Sequence, residues 1–110
     1  MYKLKISPEA KNDLAKIKGY ISQELCNPQA AVNLAAKITK KIRGLSEHPG
    51  IGASLSSIMD IQTDYRFFVC AKHLIFYRYE AEIVFVLRIL YGKRDYVRIL
   101  FGNLPEDEEN

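Results

Sequence analysis

Apolar and basic residues alternate at the start of the chain, Tyr2, Leu4 and Ile6 against Lys3 and Lys5, which predicts a half-buried strand over residues 2–6. The period then lengthens. Ala10, Leu14, Ile17, Ile21 and Leu25 recur every three or four residues, the spacing of one helical face. Ser7, Pro8 and Glu9 supply an N-cap oxygen, a proline where no amide is wasted, and an acid at the positive helix end, so the helix is expected to begin there and stop at Cys26-Asn27. Asn27-Pro28 repeats the start signal. Ala31, Leu34, Ala35, Ile38, Ile42 and Leu45 form a second apolar face, ended by Pro49-Gly50. The short connection predicts an antiparallel helical hairpin, and its narrow apolar faces require a sheet to lie on.

After a glycine- and serine-bearing loop over residues 51–63, with a weak strand signal at 58–61, the pattern becomes β-like. Strands are expected over residues 65–71, 73–80 and 82–91, with a turn at Ala81. Along the last of these, Ile83, Phe85, Leu87, Ile89 and Tyr91 share the more apolar face, which is expected against the helices with Arg88 on the opposite side. The predicted core is Leu14, Ile17, Ile21, Leu34, Ile38, Ile42, Phe85, Leu87 and Ile89. Asp95 is placed to cap a short terminal helix that turns Val97, Leu100 and Phe101 inward and stops at Gly102, although a short strand fits the same residues. The order is an N-terminal strand, a helical hairpin and a three-stranded antiparallel meander, an α+β fold in a single domain over residues 1–104.

Charge adds a candidate chemistry. Residues 65–101 hold seven cations, Arg66, Lys72, Arg78, Arg88, Lys93, Arg94 and Arg98, against Glu80, Glu82 and Asp95. A guanidinium keeps its proton and is rarely buried alone, so these arginines need a carboxylate inside or an anion outside. The last five residues before Asn110 carry Glu106, Asp107, Glu108 and Glu109, and residues 105–110 read as a disordered acidic tail. A basic body of this kind suggests an anionic partner. Lys37, Lys40, Lys41 and Arg43 read as a solvated helix face. Cys26 and Cys70 fit free thiols, since their spacing matches no metal or redox motif. The N-terminus lacks a signal-peptide pattern and no run is long enough to span a membrane, so the expected location is the cytoplasm.

The ordered combination of these features resembles the RelE/ParE toxins of type II toxin-antitoxin (plasmid stabilisation) modules. The first strand, the helix from Ser7-Pro8 with Ala10, Asp13-Leu14, Ile17 and Tyr20-Ile21, then Asn27-Pro28, Ala30-Ala31, Pro49 and Gly52 are similar to the family's first half. The stretch HLIFYRYEAEIVFVLRILYGKRDY, residues 73–96, is similar to its second. The resemblance implies a growth-arresting toxin neutralised by a cognate antitoxin, with a toxin-antitoxin hetero-oligomer or a homo-oligomer as its assembly and no cofactor. Family members act in two ways. RelE-like members are mRNA interferases that cut message on the ribosome without metal, and ParE-like members inhibit DNA gyrase. An inactive relative that binds only its antitoxin and a basic RNA-binding module are the alternatives.

RNA cleavage through a 2′-hydroxyl needs a base, cations around the phosphate and a proton source. Arg66, Arg88 and Arg94 are the candidate cations, His73 the candidate acid or base, and Tyr96 the nearby hydroxyl. Lys72, Arg78, Lys93 and Arg98 are candidates for phosphate or antitoxin contact. By resemblance, Arg94 falls on a basic residue that RelE-type nucleases use, and Arg66 on a phosphate-binding cation. Two positions depart from that pattern. The arginine preceding the LIFY-like run falls near Leu74, and the late tyrosine falls near Leu100, with Tyr91 and Tyr96 as possible substitutes.

Overall fold

A computed structural model describes residues 1–92 and 94–102; the expected tail at 105–110 lies outside them. Strand β1 (Lys3–Ile6) leads into helix α1 (Pro8–Gly19), which continues as a π-helical turn over Tyr20–Glu24. Ser7 caps α1 as its sequence predicts, its Oγ accepting from the Ala10 amide at 2.9 Å. The same hydroxyl donates to the Leu87 carbonyl at 2.8 Å, so the cap also ties the helix start to the sheet. Cys26 reverses the chain at φ 52°, and Asn27 caps helix α2 (Pro28–Gly44) through the Ala30 amide at 3.1 Å.

The remaining strands are β2 (Ala53–Ser54), β3 (Arg66–Cys70), β4 (His73–Glu80) and β5 (Ile83–Tyr91), and helix α3 covers Tyr96–Phe101. The sheet order is β1-β5-β4-β3-β2, with β1 parallel to β5 and the other pairs antiparallel. The expected meander is therefore present, joined on one side by β1. The weak strand signal at 58–61 is not realised. A two-residue strand forms instead at Ala53–Ser54, and Ile58 is exposed. Both meander turns, at Ala71-Lys72 and Ala81-Glu82, hold two residues at positive φ, the backbone of a type I′ hairpin turn whose twist suits adjoining strands.

The predicted face of β5 is corrected by a bulge. Tyr77 pairs with Val86 and Phe76 with Arg88, so Leu87 is an extra residue that has no partner on β4. Before the bulge Val84 and Val86 face the helices and are fully buried; after it the phase has changed and Ile89 does so. Phe85 is half-buried, with Arg78 over its ring, and Leu87 packs in a second core on the other face. The main core joins Ala10, Ile38, Ile42 and Leu45 of the helical layer to Ile75, Tyr77, Val84, Val86 and Ile89, with Leu14, Ile17 and Leu34 at its margin. The second core contains Leu55, Phe76 and Leu90, closed over by Tyr96, Ile99, Leu100 and Phe101 of α3. The terminal segment is thus a helix, capped by Asp95 and stopped by Gly102 at φ 78°.

Candidate functional site

Four of the candidate arginines are engaged within the fold. Arg88 Nε and Nη2 each donate to Asp13 of α1 at 2.8 Å, a bidentate pair, and the same carboxylate accepts from the Ile89 amide at 2.9 Å. The register of β1 ends at Val86, so Asp13 supplies the next acceptor along the edge of β5. The Arg88 guanidinium is held above its ordinary pKa by these hydrogen bonds, burial opposing and the charges of Asp13 and Glu9 adding. Arg78 donates to Asp64 at 2.9 Å and also pairs with Glu80. Arg98 pairs with Asp95 at 3.9 Å.

Arg66 takes neutral partners. Its Nη2 donates to the carbonyls of Gly50 and Gly52, while its buried Nε has no hydrogen-bond partner among the described residues. The same loop is fastened by Tyr77, whose hydroxyl donates to the Pro49 carbonyl at 2.7 Å and accepts from the Gly52 amide at 2.9 Å. Gly52 is required there: a Cβ would lie 2.5 Å from the Phe67 carbonyl oxygen.

The other candidates gather at the opposite end of the sheet. His73 and Tyr91 are cross-strand partners in edge-to-face contact, 5.7 Å between centroids, and His73 Nδ1 lies 3.0 Å from the Ala71 carbonyl. The Gly92 amide donates to the Lys72 carbonyl at 2.9 Å, which draws the β3–β4 turn against the end of β5. Arg94 is exposed and its side chain has no partner among the described residues. Tyr96 packs on Phe76 with ring centroids 5.3 Å apart. Lys93 lies outside the described residues.

These positions do not form one nuclease constellation. Arg66 pairs across the sheet with Tyr77 of the main core, whereas Arg88 pairs with Phe76 beside the bulge and, against the expectation that it lies away from the helices, reaches Asp13 of α1. Their strands are separated by β4, roughly 10 Å. His73 lies four residues along β4 from Tyr77, roughly 13 Å away at strand rise. Groups sharing one scissile phosphate need hydrogen-bond reach of about 3 Å. No three His, Cys, Asp or Glu side chains converge as metal ligands among the described residues.

What His73, Tyr91 and Lys72 do build is one wall of a groove of about 580 Å³. The helical hairpin builds the other, with Ile17, Tyr20, Ile21, Leu25 and Leu34. Ile21, expected in the core, lines this groove instead. Tyr20 is 58% and Leu25 56% exposed, large apolar surfaces that a monomer does not need. Lys16 and Lys72 add cations beside them. The groove suits an amphipathic protein segment better than a phosphodiester. Sequence reasoning missed it because its residues were assigned to the continuous helical stripe that fills the core; the exposed aromatic at Tyr20 was the one available signal.

The family model described as the ParE toxin of type II toxin-antitoxin system, parDE, matches residues 4–96. Among solved structures, a chain from the chromosomal ParDE TA system of P. aeruginosa superposes with a TM-score of 0.71 at 21% sequence identity, covering 84% of this chain and 98% of that one. At that identity the likeness establishes a common fold. No curated protein matches the sequence.

Proposed function

We propose that this chain, which belongs to the ParE toxin family of type II toxin-antitoxin systems, arrests growth by binding DNA gyrase rather than by cutting RNA. The observation that carries this reading is the fate of the candidate nuclease cations. Of these, Arg88 is committed to Asp13 and Arg66 to loop carbonyls, which leaves the exposed Arg94, at the far end of β5, apart from the other two. A transesterification site needs those charges free and convergent, whereas a toxin that acts by protein contact needs only a stable surface.

The same reading assigns the groove between the helical hairpin and the β3–β4 turn to the antitoxin. Its apolar lining and flanking Lys16 and Lys72 suit an amphipathic segment with large apolar side chains and carboxylates. On this reading the chain acts in the cytoplasm, where a gyrase target would be met. Induction in growing cells tests the mechanism. Gyrase-linked DNA breaks with uncut transcripts are expected, and transcripts cut on the ribosome with intact DNA would reverse the assignment.

A further inference from the structure

The sheet ends at β1, which pairs with β5 on one side and with no strand among the described residues on the other. The Lys3 amide donates to the Glu82 carbonyl and the Ser7 amide to the Val86 carbonyl. The alternation of a strand ladder therefore turns the amides and carbonyls of Leu4 and Ile6 away from β5, towards the open edge. The side chains of β1 are sorted by face. Leu4 and Ile6 line a hollow of about 210 Å³ with Leu14 of α1 and Ile42 of α2, and Lys11 and Arg43 stand beside it. Lys3 and Lys5 take the other face, and both are exposed. No carboxylate lies within ion-pair reach of Lys3, Lys5, Lys11 or Arg43 among the described residues.

An open edge of this kind can accept a further strand, whose backbone supplies affinity and whose alternate side chains supply specificity. Side chains opposite Leu4 and Ile6 would stand about 5 Å from them on the face of the apolar hollow, and their neighbours would lie beside Lys3 and Lys5. Apolar residues suit the first face and carboxylates the second. A second copy of this chain does not fit, because pairing β1 with itself sets lysine near lysine, the means by which edge strands are guarded against self-association. The same lysines favour an acidic strand. We infer that the open edge of β1 takes an extended acidic segment of a partner protein, one that alternates apolar and carboxylate side chains, as an additional strand of the sheet. The hollow beside this edge shares no lining residue with the groove of Tyr20 and Leu25, so the inference stands apart from the gyrase and antitoxin readings.

The full chain is titrated with a fluorescent peptide of about seven residues that alternates glutamate and valine, followed by anisotropy. Binding is expected, and is expected to weaken as salt is raised. Only one alternate set of peptide amides can face β1, so N-methylation of that set is expected to abolish binding and N-methylation of the other to spare it. Ile6→Pro removes a donor that the β1–β5 ladder does not use, a place where an edge strand tolerates proline, and is expected to lower affinity about tenfold. Lys3→Glu combined with Lys5→Glu is expected to do the same, whereas Lys37→Glu combined with Lys41→Glu, an equal change of charge on α2, retains binding. Circular dichroism confirms that the variants are folded. Failure of the wild-type chain to bind the peptide, equal losses from the two methylated peptides, or equal losses in the two charge variants overturns the assignment. A dimer of the free chain that Ile6→Pro dissolves also overturns it, and makes the edge a contact between copies.

Discussion

Asp13 is the buried acid on which α1 and β5 are joined, and its value lies in having three donors rather than one. Asp13→Asn keeps an acceptor for the Ile89 amide but leaves Arg88 facing an amide group. An unpaired charge at such a site costs about 3–5 kcal/mol when fully buried, and the partial exposure of Arg88 puts the expected loss near the lower end. A urea melt measures it. From the arginine side the contact is insensitive to pH near neutrality: a raised folded pKa contributes fully below arginine's ordinary value and fades only as pH climbs through the higher one. Tyr77→Phe removes the shared partner of Pro49 and Gly52 and is expected to cost about 1–3 kcal/mol by the same melt. The need of Arg88 for a partner was legible in the sequence. The choice between an internal carboxylate and an external anion was not, because the partner lies 75 positions away on a helix.

At the scale of elements, the local signals served well where the chemistry is itself local. Ser7-Pro8, Asn27-Pro28, and Asp95 with Gly102 each mark a helix boundary found in the structure, because a cap is made by residues within one turn. The face of β5 was misassigned because counting by twos carries across a strand only while its ladder is unbroken. One unpaired residue, Leu87, reverses the phase, and nothing in the run IVFVLRILY marks that position. Substitution distinguishes the two registers. Val86→Asn would bury an amide without partners, so it is expected to prevent stable folding, whereas Leu87→Asn at the half-buried bulge is expected to leave a cooperative, weakened melt. Ile38→Ala, in the middle of the helical face, is expected to cost about 2–5 kcal/mol by urea denaturation.

Across the whole molecule, the two layers have different tasks. The sheet pairs Arg78 and Arg88 with carboxylates of the fold, and the helical layer supplies one wall of the apolar groove. The fold class was legible because element order and caps are sequence features. The groove was not, since it arises where the π-helical turn at Tyr20–Glu24 passes the β3–β4 turn, two segments distant in the chain. Leu34→Glu, which places a carboxylate in that groove, is expected to weaken antitoxin binding by at least about tenfold, the loss measured by calorimetry, while the melt stays cooperative.

The mechanism itself is tested most directly with purified components. Gyrase, relaxed plasmid and ATP are mixed with increasing amounts of the toxin, and DNA topology is read on a gel, alongside ribosomes programmed with message under the same conditions. Loss of supercoiling with accumulation of cleaved plasmid, and message left whole, is the predicted result. Normal supercoiling at saturating toxin together with message cut on the ribosome would contradict it.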